Sequence, residues 1–251
     1  MALSYTQNLA RPLRHLLDGA ISLVFPPHCE MCSTCLDDLK GFICKPCMAE
    51  FELVGEDYCK RCGAVQGDHV GVISRCSHCE GDLDYGVKEV VASGTYEGKL
   101  SDLIRKLKFE RRLVLAEVGA AWLAQAILDR GIECDLVMPV PLSSARFWKR
   151  GFHQSEEIAQ RVAKILGKPC VNNVVKRIKD SRPQAQLPQN ERARNVAKAF
   201  KSARRASTVA GKHILPIDDV MTTGSTLREV TRVLRKLKAS SISAAVVARS
   251  A

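Results

Sequence analysis

Four Cys-x-x-Cys pairs crowd into residues 29–79 of a 251-residue chain: Cys29/Cys32, Cys44/Cys47, Cys59/Cys62 and Cys76/Cys79. A two-residue spacer lets both thiolates of one turn point at a single ion, and two such turns close a tetrahedron of four sulfurs. The pairs therefore predict two structural zinc ions on eight cysteines. Four thiolates also suit an iron–sulfur cluster, so the spacing speaks more strongly for a metal than for which metal. Disulfides would need an oxidising compartment, and the chain shows no export signal. A redox pair of the thioredoxin kind expects one Cys-x-x-Cys at a helix start, not four. Cys32-x-x-Cys35 is a further knuckle, so either Cys29 or Cys35 completes the first site. His28, His69 and His78 are read as bystanders, and Cys134 and Cys170 as buried thiols.

Nine of the eleven cysteines precede residue 80, which writes a domain boundary into the composition. Residues 28–84 form the expected double zinc module, whose metals supply the stability that so few large apolar side chains could not. Ahead of it, residues 1–27 are expected to hold an amphipathic helix, with apolar positions at helical spacing from Asn8 to Phe25. Arg11, Arg14 and Asp18 break the run, and its uncharged stretch is too short to span a bilayer. Membrane contact is not expected, and a cytoplasmic location is.

Residues 85–251 alternate strand and helix patterns. Gly86–Tyr96 is rich in β-branched residues, and residues 98–108 and 112–129 carry helical periodicity. A short apolar strand spans Asp135–Pro141, a helix Gln154–Leu166, and a further strand lies in VNNVVKRI. HILPI (His213–Ile217) reads as a strand, Thr223–Leu237 as a helix and Ile242–Arg249 as the last strand. Pro216 cannot donate a ladder bond, which predicts a local bulge. Such alternation implies an open, mostly parallel sheet covered by helices.

Just past HILPI stand Asp218 and Asp219, at the strand end where open α/β sheets hold ligands. Two adjacent carboxylates repel each other, so a divalent cation or hydroxyl donors should compensate them. Thr222, Thr223, Gly224, Ser225 and Thr226 follow, supplying hydroxyls and the N–H groups of a helix start that suit a phosphate. The plainer alternative is a helix capped by threonine or serine with solvated aspartates. The full order of strand, acids, Thr-Gly-Ser-Thr and helix points instead to a phosphorylated ribose.

IDDVMTTGST resembles the phosphoribosyl pyrophosphate (PRPP) loop of type I phosphoribosyltransferases. With PVPLSSARFWKRGFHQSEEIA, RPQAQLPQNERARNVAKAF and the leading cysteine knuckles, the chain resembles the ComF family of competence proteins. That resemblance implies a type I phosphoribosyltransferase-like domain over residues 85–251. It also implies ribose hydroxyls on Asp218 and Asp219, the 5-phosphate on Thr222 to Thr226, and Mg2+ with PRPP. The loop after DLVMPV would be the pyrophosphate loop, with Arg146, Lys149, Arg150 and Gly151. Gln184 and the segment from Arg192 to Asn195 correspond to a mobile segment over the site. His153 stands where the family commonly has asparagine.

Two functions follow. One is handling of incoming single-stranded DNA in natural transformation, the role the family name carries. The net charge of +11 would attract phosphate-rich partners. Candidate DNA contacts are Lys106, Lys108, Arg111 and Arg112 around Phe109, and Arg232 and Arg235 on the last helix, since single strands are bound by phosphate neutralisation and stacking. The other is displacement of pyrophosphate from PRPP by an unknown acceptor. A protein partner at the zinc module is compatible with both.

Overall fold

The computed structural model describes residues 26–36, 41–55, 58–65, 76, 79, 85–178 and 199–250. The expected helix at residues 8–25 and the segment from Gln184 to Asn195 lie outside the described residues. Contacts divide the chain into two compact units, Met1–Phe51 and Glu52–Ala251, with the division falling between the two cysteine groups.

The first unit is organised by its cysteines. Its turn opens at the His28–Cys35 bridge and returns through the Cys29 N–H, which donates to the Thr34 carbonyl at 2.8 Å. Cys44 then caps the short helix α1 (Lys45–Ala49), where a proline in the first turn costs no helical hydrogen bond.

The second unit opens with the same turn, bridged between Tyr58 and Val65 and closed by Cys59 N–H to the Ala64 carbonyl at 2.8 Å. Ser33 and Gly63 hold the equivalent left-handed position in the two copies, with φ of 63° and 71°. After it come β1 (Val90–Thr95), α2 (Gly98–Phe109), α3 (Leu115–Asp129), β2 (Leu136–Pro139), α4 (Ser144–Arg150) and α5 (Gln154–Leu166). The chain continues through β3 (Val175–Arg177), β4 (Phe200–Ser202), β5 (His213–Met221), α6 (Ser225–Lys236), β6 (Ser241–Ile242) and β7 (Ala244–Arg249).

Five strands make the main sheet in the order β1-β7-β5-β2, with β6 beside β5, and every pairing is parallel. A parallel sheet must be covered on both faces, which is why β7 is buried throughout. Leu136, Met138 and Ile214 pack with Val230, Val233 and Leu234 of α6. The alternate residues Val137, Leu215 and Ile217 are equally buried and face the side taken by α3 and α5. Helix α2 shows the spacing that makes this possible: its buried residues Leu100, Leu103, Ile104 and Leu107 form one stripe.

Three expectations need correction. Strand β5 runs on to Met221, so Asp218 and Asp219 lie within it; β7 is long enough to pair with Asp218, Val220 and Met221. The strand is not bulged at Pro216, which pairs in register with Met138. On its other side the ladder passes from β6, paired at Ile214, to β7, paired from Ile217, so the missing N–H falls at that change of partner. Finally, the strand in VNNVVKRI does not join the parallel sheet but pairs antiparallel with β4 in a ribbon of its own.

Candidate functional site

The loop after β5 is held by packing from below. Gly224 is the N-cap of α6 with φ of 70°, a conformation that glycine tolerates and other residues resist. The N-cap position of α6 is held by glycine rather than by the threonine or serine that a plain strand-to-helix turn would place there. The Thr223 and Ser225 hydroxyls instead hydrogen-bond each other at 2.8 Å. The first N–H groups of a 12-residue helix thus face the loop with hydroxyls around them, a set of donors suited to a phosphate. Thr222, Gly224, Ser225 and Thr226 line one cavity with Val140, Pro216 and Asp218.

Successive side chains on a strand leave opposite faces, and the two acids do point apart. Asp218 Oδ1 accepts from the Ser155 hydroxyl at 2.7 Å and from the Asp219 N–H at 2.9 Å. Asp219 is ion-paired through Oδ2 with Lys108 Nζ at 3.0 Å. The compensation that adjacent carboxylates demand is therefore built from the chain's own hydroxyl and ammonium. Desolvation, with the Asp219 charge beside it, nevertheless pushes the Asp218 carboxyl up to about 6.

The residues expected in a pyrophosphate loop after β2 lie on a helix. Arg146, Lys149 and Arg150 belong to α4, about two turns long, and Gly151 follows it with φ of 79°. Arg150 reaches forward along the chain, donating from Nη1 to Gln154 Oε1 at 3.0 Å. Its guanidinium carbon also sits 5.9 Å from the centre of the Phe109 ring. His153 caps the next helix by backbone position and sets its ring 3.0 Å from the Val140 carbonyl and 3.3 Å from Glu156 Oε2. That imidazole is the largest influence lowering the Glu156 carboxyl below its ordinary value, with the Asn172 amide adding to it.

The eight cysteines gather into two sets of four, Cys29/Cys32/Cys44/Cys47 and Cys59/Cys62/Cys76/Cys79, with all sulfurs of a set within 4.8 Å of one another. Cys35 lies outside the first set, its sulfur 3.6 Å from His28 Nε2. Zinc–sulfur bonds of about 2.3 Å in a tetrahedron put the sulfurs ~3.8 Å apart. Cys32–Cys44, Cys59–Cys79 and Cys62–Cys76 stand at 3.6, 3.7 and 3.8 Å, and all eleven thiols are unbridged. Burial and the neighbouring thiols push Cys47 up to about 12 and Cys79 up to about 11. Cys32 is instead lowered to about 6 by the Thr34 hydroxyl and N–H, and since all four thiolates of a set ionise together only around a cation, the donor set fits zinc.

The second set belongs to the core beneath the loop after β5. Its four cysteines pack with Tyr85, Met221, Leu227, Ala244 and Val246 in one apolar cluster. Buried Arg249, at the end of β7, donates to the Cys62 carbonyl at 3.1 Å and to the Met221 carbonyl at 3.3 Å. Tyr85, Ser155 and Arg249 were not legible as site residues: each stands alone in sequence, outside any recurring pattern.

The basic candidates separate into two places. Lys106 pairs with Glu110 at 3.6 Å and Arg112 approaches the same carboxylate at 3.9 Å, while Lys108 is the partner of Asp219. Arg111 follows in a left-handed conformation, and Phe109 between them is 71% exposed. On α6, Arg232 pairs with Glu229 at 3.0 Å and Arg235 is exposed. Among the described residues no helix is long and apolar enough to cross a membrane.

Comparison with known proteins finds matches to two families. Residues 20–80 match the model of the double zinc ribbon domain, and residues 152–251 that of the phosphoribosyl transferase domain. Competence protein F of Haemophilus influenzae is 31% identical, over 83% of this chain and 91% of that protein. DNA utilization protein YhgH of Salmonella typhi is also 31% identical, over 88% of this chain and 96% of its own. Competence protein ComFC of Streptococcus pneumoniae is 27% identical, over 80% and 84%.

Proposed function

Because the chain belongs to the ComF family of competence proteins, we propose that it handles incoming single-stranded DNA in the cytoplasm and carries a PRPP-binding pocket beside β5. The observation that supports the pocket is the juxtaposition of an uncapped helix start, ringed by hydroxyls, with two carboxylates on the strand that feeds it. Thr222 to Thr226 would hold the 5-phosphate, and Asp218 and Asp219 the ribose hydroxyls. Arg150, with Arg146 and Lys149 on the same helix, would meet the diphosphate. Mg2+ entering with PRPP would neutralise the diphosphate, and because the two acids point apart, one of them with substrate oxygens would hold it.

The relatives' names support the DNA reading, as does the charge of +11. Such binding should be salt-sensitive and weak in sequence preference, since the basic groups offer charge without a base-reading element. A protein partner of the zinc module is compatible with it.

A second reading, transfer of the phosphoribosyl group to an acceptor, is favoured by one observation. A cavity of about 330 Å3 opens beside the helix after β2, lined by Pro141, Trp148, His153, Glu156, Asn172 and Arg177 among others. Its size is at the lower end for small-molecule sites.

Calorimetry with PRPP and Mg2+ tests the pocket, and anisotropy of a labelled oligothymidine across a salt series tests the DNA reading. Binding of PRPP unchanged by Asp218→Asn with Asp219→Asn, or strand affinity indifferent to ionic strength, would sink the respective half.

A further inference from the structure

The acid pair and one basic cluster, far apart in sequence, meet at one edge. Lys108, near the end of α2, is bonded to Asp219, and Phe109 follows it with its ring 71% exposed. Arg150 from α4 lies over that ring at 5.9 Å. Arg111 closes the group from the other side, lying so near the turn after α4 that a Cβ added to Gly151 would be 3.0 Å from its Nη2. An exposed aromatic ring, three cations and a carboxylate therefore share the mouth of the site.

We propose that this mouth is a single-strand nucleic-acid site, in which a base stacks on Phe109 while flanking phosphates take Arg111 and Arg150, so that a strand and PRPP draw on the same cations and exclude each other. The proposal rests on the PRPP reading of the pocket and adds the relation between its two ligands.

Each element has a physical reason. A large ring left in water costs hydrophobic free energy, and base–aromatic stacking recovers it without regard to base identity. Arg150 over the ring is placed to sandwich a base or to turn toward a phosphate. Lys108 serves as the counter-ion of Asp219 until a diol or a cation takes that acid. A diphosphate arriving at Arg150 would then stand beside the strand's own phosphate, and two polyanions competing for three cations repel each other at close range.

The test uses the full zinc-loaded chain and a fluorescein-labelled oligothymidine at low salt. PRPP binding is first measured by calorimetry without the strand; its absence would overturn the donor reading of the pocket and the exclusion with it. Where PRPP binds, saturating PRPP with Mg2+ should weaken the strand more than tenfold, and tripolyphosphate with Mg2+ at equal charge much less. Phe109→Ala should weaken the strand about 5- to 100-fold, the worth of one stacked base, and Phe109→Trp should restore it. Strand affinity unchanged by bound PRPP overturns the exclusion alone. Strand affinity unchanged by Phe109→Ala overturns the stacking site, and circular dichroism of that exposed-site variant separates a lost contact from a lost fold.

Discussion

A Cβ placed on Gly224 would lie 2.2 Å from Cε1 of Tyr85, a ring that is itself 3% exposed and locked among the second set of cysteines. The loop that faces the proposed phosphate is thus shaped from beneath by a residue packed against the second set of cysteines.

Gly224→Ala should accordingly cost twice, through the left-handed backbone and through the clash. The first alone is worth about 1 to 2 kcal/mol, and the second forces either Tyr85 or the loop to move. The expected outcome is a lower unfolding midpoint in urea together with PRPP affinity reduced tenfold or more in calorimetry. Tyr85→Ala in the Gly224→Ala background should return part of the stability if the ring is the obstacle.

Zinc at the second site is expected to stabilise the sheet as well as the knuckles. Cys62 is fully buried and its carbonyl accepts from Arg249, which also ties down the Met221 carbonyl where the loop after β5 begins. Elemental analysis should give two zinc ions per chain, and Cys62→Ser should release one of them and lower the melting temperature of the sheet domain. A Cys62→Ser protein that keeps two zinc ions would remove that residue from the ligand set. Cys44→Ser should likewise leave one ion, whereas Cys35→Ser should leave both, since Cys35 stands outside the first set.

Asp218 gives a dependence on pH whose sign is fixed. Burial and the neighbouring acid raise its carboxyl to about 6, from an unfolded value near ~4. The folded chain therefore holds this proton more tightly than the unfolded one, so its contribution to stability is fullest below about pH 4 and is lost as pH rises to about 6. Asp218→Asn keeps the acceptor oxygen for Ser155 and removes the charge. Melting temperatures should then favour the variant increasingly from pH 4 to 7, while PRPP binding is lost. A pH-independent difference would place the proton elsewhere.

How much of this was legible follows from where the signal sits. Periodicity gave α5 its bounds, because one apolar stripe and Gly167 beyond its end act locally. The continuation of β5 through both aspartates was hidden, because polar residues read as a strand's end unless a long partner such as β7 pairs with them. Helix α4 was read as a loop since a run with Phe147, Trp148 and three cations lacks an apolar face to repeat. The cysteine spacing left Cys29 and Cys35 as alternatives for the first set, since both have the same spacer, and only the folded turn gathers Cys29 with the other three. The pairing of Lys108 with Asp219 joins residues 111 positions apart, and nothing local to either predicts it.

The end of the pocket proposed for the diphosphate makes the most discriminating prediction. Arg150 reaches from the helix after β2 toward both Gln154 and Phe109, so it is poised between neighbouring groups with no carboxylate partner among the described residues. Removing it should subtract a charge-assisted contact, about 1.5 to 3 kcal/mol or roughly ten- to a hundredfold in affinity. Because ribose 5-phosphate lacks the diphosphate, Arg150→Ala should weaken PRPP by that amount and leave ribose 5-phosphate within about twofold. Thr223→Val tests the opposite end: its hydroxyl meets that of Ser225 at 2.8 Å, and its loss should weaken both ligands alike. Calorimetry on the two variants with the two ligands gives four affinities. Equal losses for PRPP and ribose 5-phosphate in Arg150→Ala would mean that Arg150 serves the sugar or the fold, and that the diphosphate lies elsewhere.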